Sequence, residues 1–244
     1  MKIQNAATEN TPFIKAVVYG PSGAGKTSLV KTLPPEFKPF VMSIEGGLLS
    51  IAGSNIDFVD VTRGDDGRLL PMIERPKRIK EVYAYLQTPE AKAKYNTIFV
   101  DSLTELGQTV HAMAAKEFPE AKDMLRLWGS YGISMRDTIR AFRDIPEYHV
   151  IFTCLSKIDR DDTTGKRFAA FDLQGSISDK LPGYLDLCMF LKVSETGSRE
   201  LICGATEAVP AKDRSGKLNR VEPANLGHVF SKILSNNNQG DKHV

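Results

Sequence analysis

The chain has 244 residues, of which 41% are hydrophobic and 25% are charged, and its formal net charge is +2. This composition predicts one sizeable folded domain and excludes a chain that binds nucleic acid through its overall charge. No apolar run approaches the ~20 residues of a membrane span. The cysteines lack C-x-x-C spacing and indicate neither a disulfide framework nor a zinc site, so we expect a reducing, cytoplasmic setting.

Three segments are predicted from the distribution of polar residues. We expect a flexible N-terminus without a signal peptide over residues 1–11, a folded core over 12–234 and a disordered tail over 235–244.

The first predicted strand, residues 13–19, leads into the sequence GPSGAGKT at residues 20–27, and a short helix follows before Pro34. This octapeptide fills every fixed position of the P-loop pattern G-x-x-x-x-G-K-[ST] in the strand–loop–helix context that the pattern requires. Glycines let the backbone N–H groups surround a phosphate, and the helix N-terminus adds a positive dipole. The residues that we expect to bind nucleotide phosphates are Gly20, Pro21, Ser22, Gly23, Ala24, Gly25, Lys26, Thr27 and Ser28. In such a loop Lys26 contacts the β- and γ-phosphates of ATP, and the Thr27 hydroxyl binds Mg²⁺.

Strand and helix patterns then alternate, which predicts an α/β fold with a mainly parallel central sheet flanked by helices. Predicted strands cover residues 40–44, 56–61, 97–101 and 150–154, and predicted helices lie near 79–86, 103–113 and 124–142. Residues 156–184 are polar without clear periodicity and predict a long functional or mobile loop. A C-terminal β-hairpin over 187–203 and a helix over 226–234 complete the predicted core.

Asp101 ends an apolar strand and is the expected second acid of the phosphate site. An acid at this place holds the Mg²⁺ shell, mainly through water. A helix cap is the alternative role for an aspartate at the end of a strand.

The hydrolytic base must lie elsewhere, because Ser102 occupies the position of the glutamate that follows this acid in AAA+ ATPases. Glu45 is the best candidate, since it ends the strand after the P-loop helix and the carboxyl ends of parallel strands share one edge of a sheet. A surface glutamate before the turn Gly46-Gly47 is the alternative, and Glu105 is a second candidate base.

The P-loop, Glu45 and the strand ending Asp101-Ser102 together resemble the RecA-like ATPases. Within that class, the chain is similar to small phage RecA-core proteins of the single-strand annealing (Sak-four) type. The likeness extends over roughly residues 13–233 and includes the sequences EGG at 45–47, WGSY at 128–131 and AKDRSG at 211–216.

This resemblance implies a RecA-like, Mg²⁺-dependent ATPase that binds single-stranded DNA in phage-type homologous recombination or strand annealing. It implies a ring or filament of copies with ATP at the subunit interfaces, a cytoplasmic location in a bacterial host if the chain is phage-encoded, and no membrane partner. A single-strand DNA-binding or annealing protein is a further candidate partner. Lys212 and Arg214 would reach the neighbouring subunit's nucleotide site, although a solvated charged turn is the alternative.

The γ-phosphate sensor departs from the RecA pattern, because the strand 150–154 lacks a terminal Gln or Asn. Cys154 and Ser156 are weak hydrogen-bonding substitutes, and Gln174 in the following loop is a third candidate.

The loop after this strand lies where RecA-like proteins contact DNA. Its basic and aromatic residues would bind a phosphate backbone and stack on bases, while nearby aspartates dilute the charge, so that a solvated hairpin is the alternative. The candidate DNA-binding residues are Lys157, Arg160, Lys166, Arg167 and Phe168.

Two other functions remain open from the sequence. One is a nucleotide-gated loader that hands DNA to a partner annealing protein. The other is a small-molecule P-loop kinase, which is disfavoured because no Arg-rich lid is present and a strand and Glu45 lie between the P-loop and Asp101.

Overall fold

A computed structural model describes residues 13–161 and 163–235. The predicted flexible N-terminus, and all of the predicted tail except Ser235, lie outside the described residues. The described strands are β1 (Lys15–Gly20), β2 (Pro39–Ser43), β3 (Asp57–Asp60), β4 (Thr97–Asp101), β5 (His149–Arg160), β6 (Arg167–Phe171), β7 (Leu187–Val193), β8 (Arg199–Ile202), β9 (Lys212–Asp213) and β10 (Val221–Pro223).

The α-helices are α1 (Arg75–Leu86), α2 (Pro89–Lys94), α3 (Leu103–Glu117), α4 (Met124–Arg143), α5 (Ile177–Tyr184) and α6 (Leu226–Leu234). The helix predicted directly after the P-loop is a 3₁₀ helix, Thr27–Thr32, and it ends before Pro34 as expected. Ser102 caps α3 by accepting a hydrogen bond from the backbone N–H of Glu105.

The strands form one sheet in the order β10-β8-β7-β1-β5-β4-β2-β3. From β7 to β3 every neighbouring pair along this order is parallel, and β8 and β10 add an antiparallel edge. This topology confirms the predicted α/β fold with its mainly parallel sheet and C-terminal hairpin. Parallel strands are covered on both faces, and accordingly all five residues of β4 are buried.

Two hydrophobic clusters cover the two faces of the sheet. Val17 and Tyr19 of β1 point to the face that α1, α3, α4 and α5 cover. Ala16 and Val18 point to the opposite face, which α6 and the 3₁₀ helix after the P-loop cover. The period of two along β1 therefore divides its side chains between two cores.

The prediction of a long loop over residues 156–184 is wrong. β5 continues to Arg160 and pairs antiparallel with β6, and α5 follows. The second half of β5 leaves the main sheet and is exposed from residue 157 onward, so its sequence carries no apolar pattern of a buried strand. The candidate DNA-binding residues therefore lie on a β-hairpin rather than on an irregular loop.

His149 joins the amino ends of β1 and β5 in the core. Its Nδ1 accepts a hydrogen bond of 3.0 Å from the backbone N–H of Ile14, and its ring packs against Phe37 and Phe230. The side chain is only 6% exposed. Burial, aided by the positive charge of Lys15, lowers the pKa of His149 from 6.5 to about 4.

We expect His149 to make the fold acid-sensitive. Between pH 6.5 and 4 the unfolded chain binds a proton that the folded chain does not bind, so the free energy of unfolding falls as the pH falls through this window. The loss amounts to about 3 kcal/mol. Asn at this position keeps an acceptor near Nδ1 but does not titrate, so His149→Asn should flatten the pH dependence, measured by urea unfolding from pH 8 to 4. Equal slopes of the free energy of unfolding against pH for the two proteins would contradict this role. The difference between their free energies of unfolding at pH 8 measures the effect of the substitution on packing.

Candidate active site

The carboxyl ends of β1, β2 and β4 meet at one edge of the sheet. The P-loop follows β1, Glu45 follows β2, and Asp101 is the last residue of β4. Ser43 pairs in register with Asp101, and the backbone N–H groups of Ile44 and Glu45 donate to the Asp101 carbonyl over 2.5 and 3.3 Å. The backbone therefore fixes Glu45 beside Asp101.

The P-loop has the geometry of an anion cradle. Gly23 and Gly25 have φ angles of +73° and +98°, which side chains rarely tolerate. Among residues 13–161 and 163–235, the backbone N–H groups of Gly23, Gly25 and Lys26 have no hydrogen-bond partner. Backbone donors left unpaired around a loop that precedes a helix bind phosphate oxygens. The loop therefore fits a polyphosphate.

Lys26 lies within this loop with its ammonium group held close to the acids. Its Nζ donates to the carbonyl oxygens of Gly20 and Pro21 over 3.0 and 2.8 Å, and the residue is only 8% exposed. Burial lowers the pKa of Lys26, while the charges of Glu45 and Asp101 raise it. Phosphate oxygens would replace the two carbonyls as acceptors and would stabilise the charged form further.

Asp101 connects the P-loop to the sheet. One carboxylate oxygen, Oδ2, accepts a 2.8 Å hydrogen bond from the Thr27 hydroxyl, and the other, Oδ1, accepts one from the Thr153 hydroxyl. The residue is 2% exposed. Because Ser102 supplies the cap of α3, the alternative role of Asp101 as a helix cap is not the one observed.

The Thr27–Asp101 pair has the donor chemistry that Mg²⁺ prefers. Hydroxyl and carboxylate oxygens bind this ion, which usually keeps several waters and phosphate oxygens in its shell. Within the described ranges 13–161 and 163–235, no group of three or more His, Cys, Asp or Glu side chains is placed to hold a metal ion, so a bound ion would depend on phosphate and water ligands as well. Thr27 and Asp101 therefore fit a magnesium ion shared with bound phosphates.

Glu45 is in the environment expected of a proton acceptor. Partial burial raises the pKa of Glu45, the negative charges of Asp101 and Glu105 raise it further, and Lys26 opposes the shift. A carboxylate whose pKa is moved toward neutrality accepts a proton more readily. Glu105, in the first turn of α3, lies close enough to act on Glu45, so both candidate bases are at this edge.

Sequence reasoning missed two residues that contact the site. Thr153 orients Asp101 from β5, and its only signal was a hydroxyl within the apolar first half of that strand. Arg199, the first residue of β8, donates from Nε to the carbonyl oxygen of Ala24 over 2.8 Å. Arg199 and Ala24 are 175 positions apart, and no local pattern in the sequence predicts their contact.

The candidate γ-phosphate sensors differ in their surroundings. Cys154 is fully buried beside the Thr104 hydroxyl, and burial raises its pKa to about 12, so it faces the core rather than the phosphates. Ser156 pairs with Phe171 in the β5–β6 hairpin. Gln174 lies after β6, and its Oε1 is buried without a hydrogen-bond partner in the described parts of the chain.

The candidate DNA-binding residues lie on the β5–β6 hairpin. Lys157 Nζ donates to the carbonyl of Leu173, and Lys166 pairs with Glu207 over 2.6 Å. Arg160 Nε donates to the Gly165 carbonyl within the hairpin, while Arg167 is exposed and Phe168 is half-buried.

Lys212 and Arg214 lie at the opposite end of the sheet from their own P-loop. Lys212 donates to the carbonyls of Pro182 and Leu185, and Arg214 pairs with Asp186 over 2.8 Å. Since β9 pairs with the start of β7, which lies beside β1, roughly 16 Å of strand separates this end from the P-loop. Neither residue contacts the phosphate site of its own chain.

Comparison with known families identifies the chain. The AAA domain family AAA_24 matches residues 13–215, which include the P-loop, Glu45 and Asp101. The chain belongs to this family. It is an AAA-type P-loop ATPase domain, although Ser102 rather than a glutamate follows Asp101.

The fold of this AAA domain is similar to that of a solved ATPase from the type III secretion system of pathogenic bacteria. The two share 15% sequence identity and a TM-score of 0.50, and the match covers 83% of this chain but 58% of the other. No curated protein matches the sequence. None of the helices described in the two ranges is both long and apolar enough to cross a membrane.

Proposed function

We propose that this AAA domain is a Mg²⁺-dependent ATP hydrolase that works as an oligomer on single-stranded DNA in phage-type recombination or strand annealing. The proposal of a hydrolase rests on one observation. Lys26, Glu45 and Asp101 lie together at the carboxyl edge of the sheet beside unpaired P-loop N–H groups.

The proposed reaction is in-line attack of water on the γ-phosphorus of ATP, in which the bond to the β–γ bridging oxygen breaks and ADP leaves. Glu45 orients the water and takes its proton, and Lys26 stabilises charge on the γ-phosphoryl oxygens. Bound Mg²⁺ would neutralise charge between the β- and γ-phosphates. Thr27 and Asp101 would hold it, with Thr153 fixing the carboxylate of Asp101.

The β5–β6 hairpin supports the DNA part of the proposal. Its register places Ile158, Arg160 and Arg167 on one face, because Arg160 pairs with Arg167 and residues two apart share a face. Ile158 is 71% exposed there. An exposed apolar side chain next to a pair of arginines suits a nucleic-acid strand, which offers both a phosphate backbone and unstacked bases.

Single-stranded DNA should therefore stimulate ATP turnover through this hairpin. The double variant Arg160→Ala/Arg167→Ala should keep basal turnover and lose the stimulation, with a severalfold weaker apparent affinity for DNA. The matched control is Lys77→Ala/Lys80→Ala, which removes two charges from the exposed face of α1. Turnover is measured over a titration of oligonucleotide at fixed salt, because phosphate contacts are salt-dependent. An equal loss in both double variants would contradict a specific role of the hairpin.

The same titration separates the alternatives. A small-molecule kinase would be stimulated by a small acceptor and not by DNA. A nucleotide-gated loader would bind ATP and DNA but turn over weakly until its annealing partner is added.

The proposal of an oligomer with nucleotide sites shared between subunits rests on Arg214. It is 58% exposed and distant from its own P-loop, so it can reach phosphates only in a neighbouring subunit. Lys212 is used within its own chain, where it binds two carbonyls near the end of α5. We therefore assign the cation delivered in trans to Arg214, with Lys212 holding the turn that presents it.

Mixing two inactive variants tests this assignment. Lys26→Ala and Arg214→Ala should each lower turnover by ~10³, because each removes a cation from the transferring phosphoryl group. In mixed oligomers about a quarter of the interfaces would pair a sound P-loop with a sound Arg214, since each interface joins two different surfaces. Partial recovery of turnover is expected. No recovery despite demonstrated mixed assembly would show that Arg214 acts in cis or only structurally.

A further inference from the structure

Arg199 lies against the outer surface of the P-loop. Its Nε donates to the Ala24 carbonyl over 2.8 Å, and a Cβ on Gly25 would lie 3.2 Å from the same nitrogen. Gly25 therefore permits both its own positive φ and the approach of Arg199. Within residues 13–161 and 163–235 the terminal guanidinium nitrogens of Arg199 have no hydrogen-bond partner.

The turn before Arg199 is well ordered by its own hydrogen bonds. Val193 and Arg199 are the last cross-strand pair of the β7–β8 hairpin. The Ser194 N–H donates to the Ser198 carbonyl over 2.9 Å, and the Ser198 N–H donates to the Ser194 hydroxyl over 3.0 Å. The hairpin therefore fixes the direction in which the Arg199 side chain leaves the sheet.

The order of the strands gives the phosphate site two sides. Glu45 follows β2 and Asp101 ends β4, and both strands lie beyond β5 on one side of β1. The β7–β8 hairpin lies on the other side of β1, and its turn is at the same edge as the P-loop because β7 is parallel to β1. A polyphosphate whose γ-phosphate lies near Glu45 and Asp101 therefore points its other end toward the β7–β8 hairpin.

The charges of the hairpin tip argue for an uncharged ligand group there. Arg199 and Lys192 are balanced by Glu195 and Glu200, and hydroxyl side chains occupy most of the turn. A second phosphate site would need an excess of cations. A planar guanidinium with free nitrogens stacks on an aromatic ring and donates to its polar edge.

We propose that the β7–β8 turn is the nucleoside side of the site, with Arg199 as the residue that contacts the nucleobase. This inference deepens the proposed function and rests on it. Arg199 has two roles here, because one nitrogen holds the P-loop backbone and the others face the base.

Comparing ATP with inorganic tripolyphosphate separates these two roles, since tripolyphosphate has the phosphates without the nucleoside. Dissociation constants are measured by competition against a fluorescent ATP analogue in the presence of Mg²⁺. Arg199→Ala should weaken ATP binding roughly tenfold and change tripolyphosphate binding less than twofold. Arg199→Lys should restore only part of the loss, because an ammonium group lacks the planar surface. The control Lys192→Ala removes one charge from the same hairpin and should bind ATP as the wild type does.

Each other outcome is decisive. An equal loss for ATP and tripolyphosphate would show that Arg199 only supports the P-loop, and no loss of ATP binding would also overturn the inference. If wild-type protein binds ATP but no tripolyphosphate, ribose 5′-triphosphate, which lacks only the base, replaces it in the comparison, and an equal loss for the two ligands overturns the inference. Wild-type protein that binds neither ligand would instead overturn the proposed function itself.

Discussion

The arrangement of the site depends on the carboxylate of Asp101 and the two hydroxyl groups that donate to it. Thr27 ties Asp101 to the P-loop, and Thr153 ties it to β5. The backbone carbonyl of the same residue accepts from Ile44 and Glu45. A buried carboxylate is tolerated only when it is hydrogen-bonded, so these contacts stabilise the charge and fix the positions of three strand ends at once.

The charge balance of the site is negative, and this supports the proposal that it binds a metal and further cations. Glu45, Asp101 and Glu105 lie near one buried ammonium group, that of Lys26. A polyphosphate would add more negative charge to this group. Mg²⁺ held by Thr27 and Asp101 would reduce the repulsion, and a guanidinium from a neighbouring subunit would reduce it further where charge develops during hydrolysis. In this account the excess of acids couples ATP hydrolysis to assembly, because a neighbouring subunit supplies a balancing cation.

The parts of the site that follow strand order were predictable from the sequence, and the parts that depend on long-range packing were not. The P-loop, Glu45 and Asp101 each follow a strand of high apolar content, and parallel strands bring their carboxyl ends together. The exposed half of β5 was missed, because neither of its faces is buried and the apolar alternation is lost. Arg199 was missed because a hairpin far along the chain brings it to Ala24, and the in-chain contacts of Lys212 depend on where α5 ends.

Turnover by Glu45→Gln, with Glu105→Gln as its matched control, tests the central claim most directly, namely that the acids at this edge of the sheet form a hydrolytic centre. Glutamine keeps the shape of the side chain but takes no proton. The account predicts that Glu45→Gln binds ATP as wild type does and hydrolyses it at least ~100-fold more slowly, while Glu105→Gln loses little. Wild-type turnover in Glu45→Gln, with loss in Glu105→Gln, would contradict the assignment of the base. Wild-type turnover in both variants would contradict a hydrolytic role for these acids.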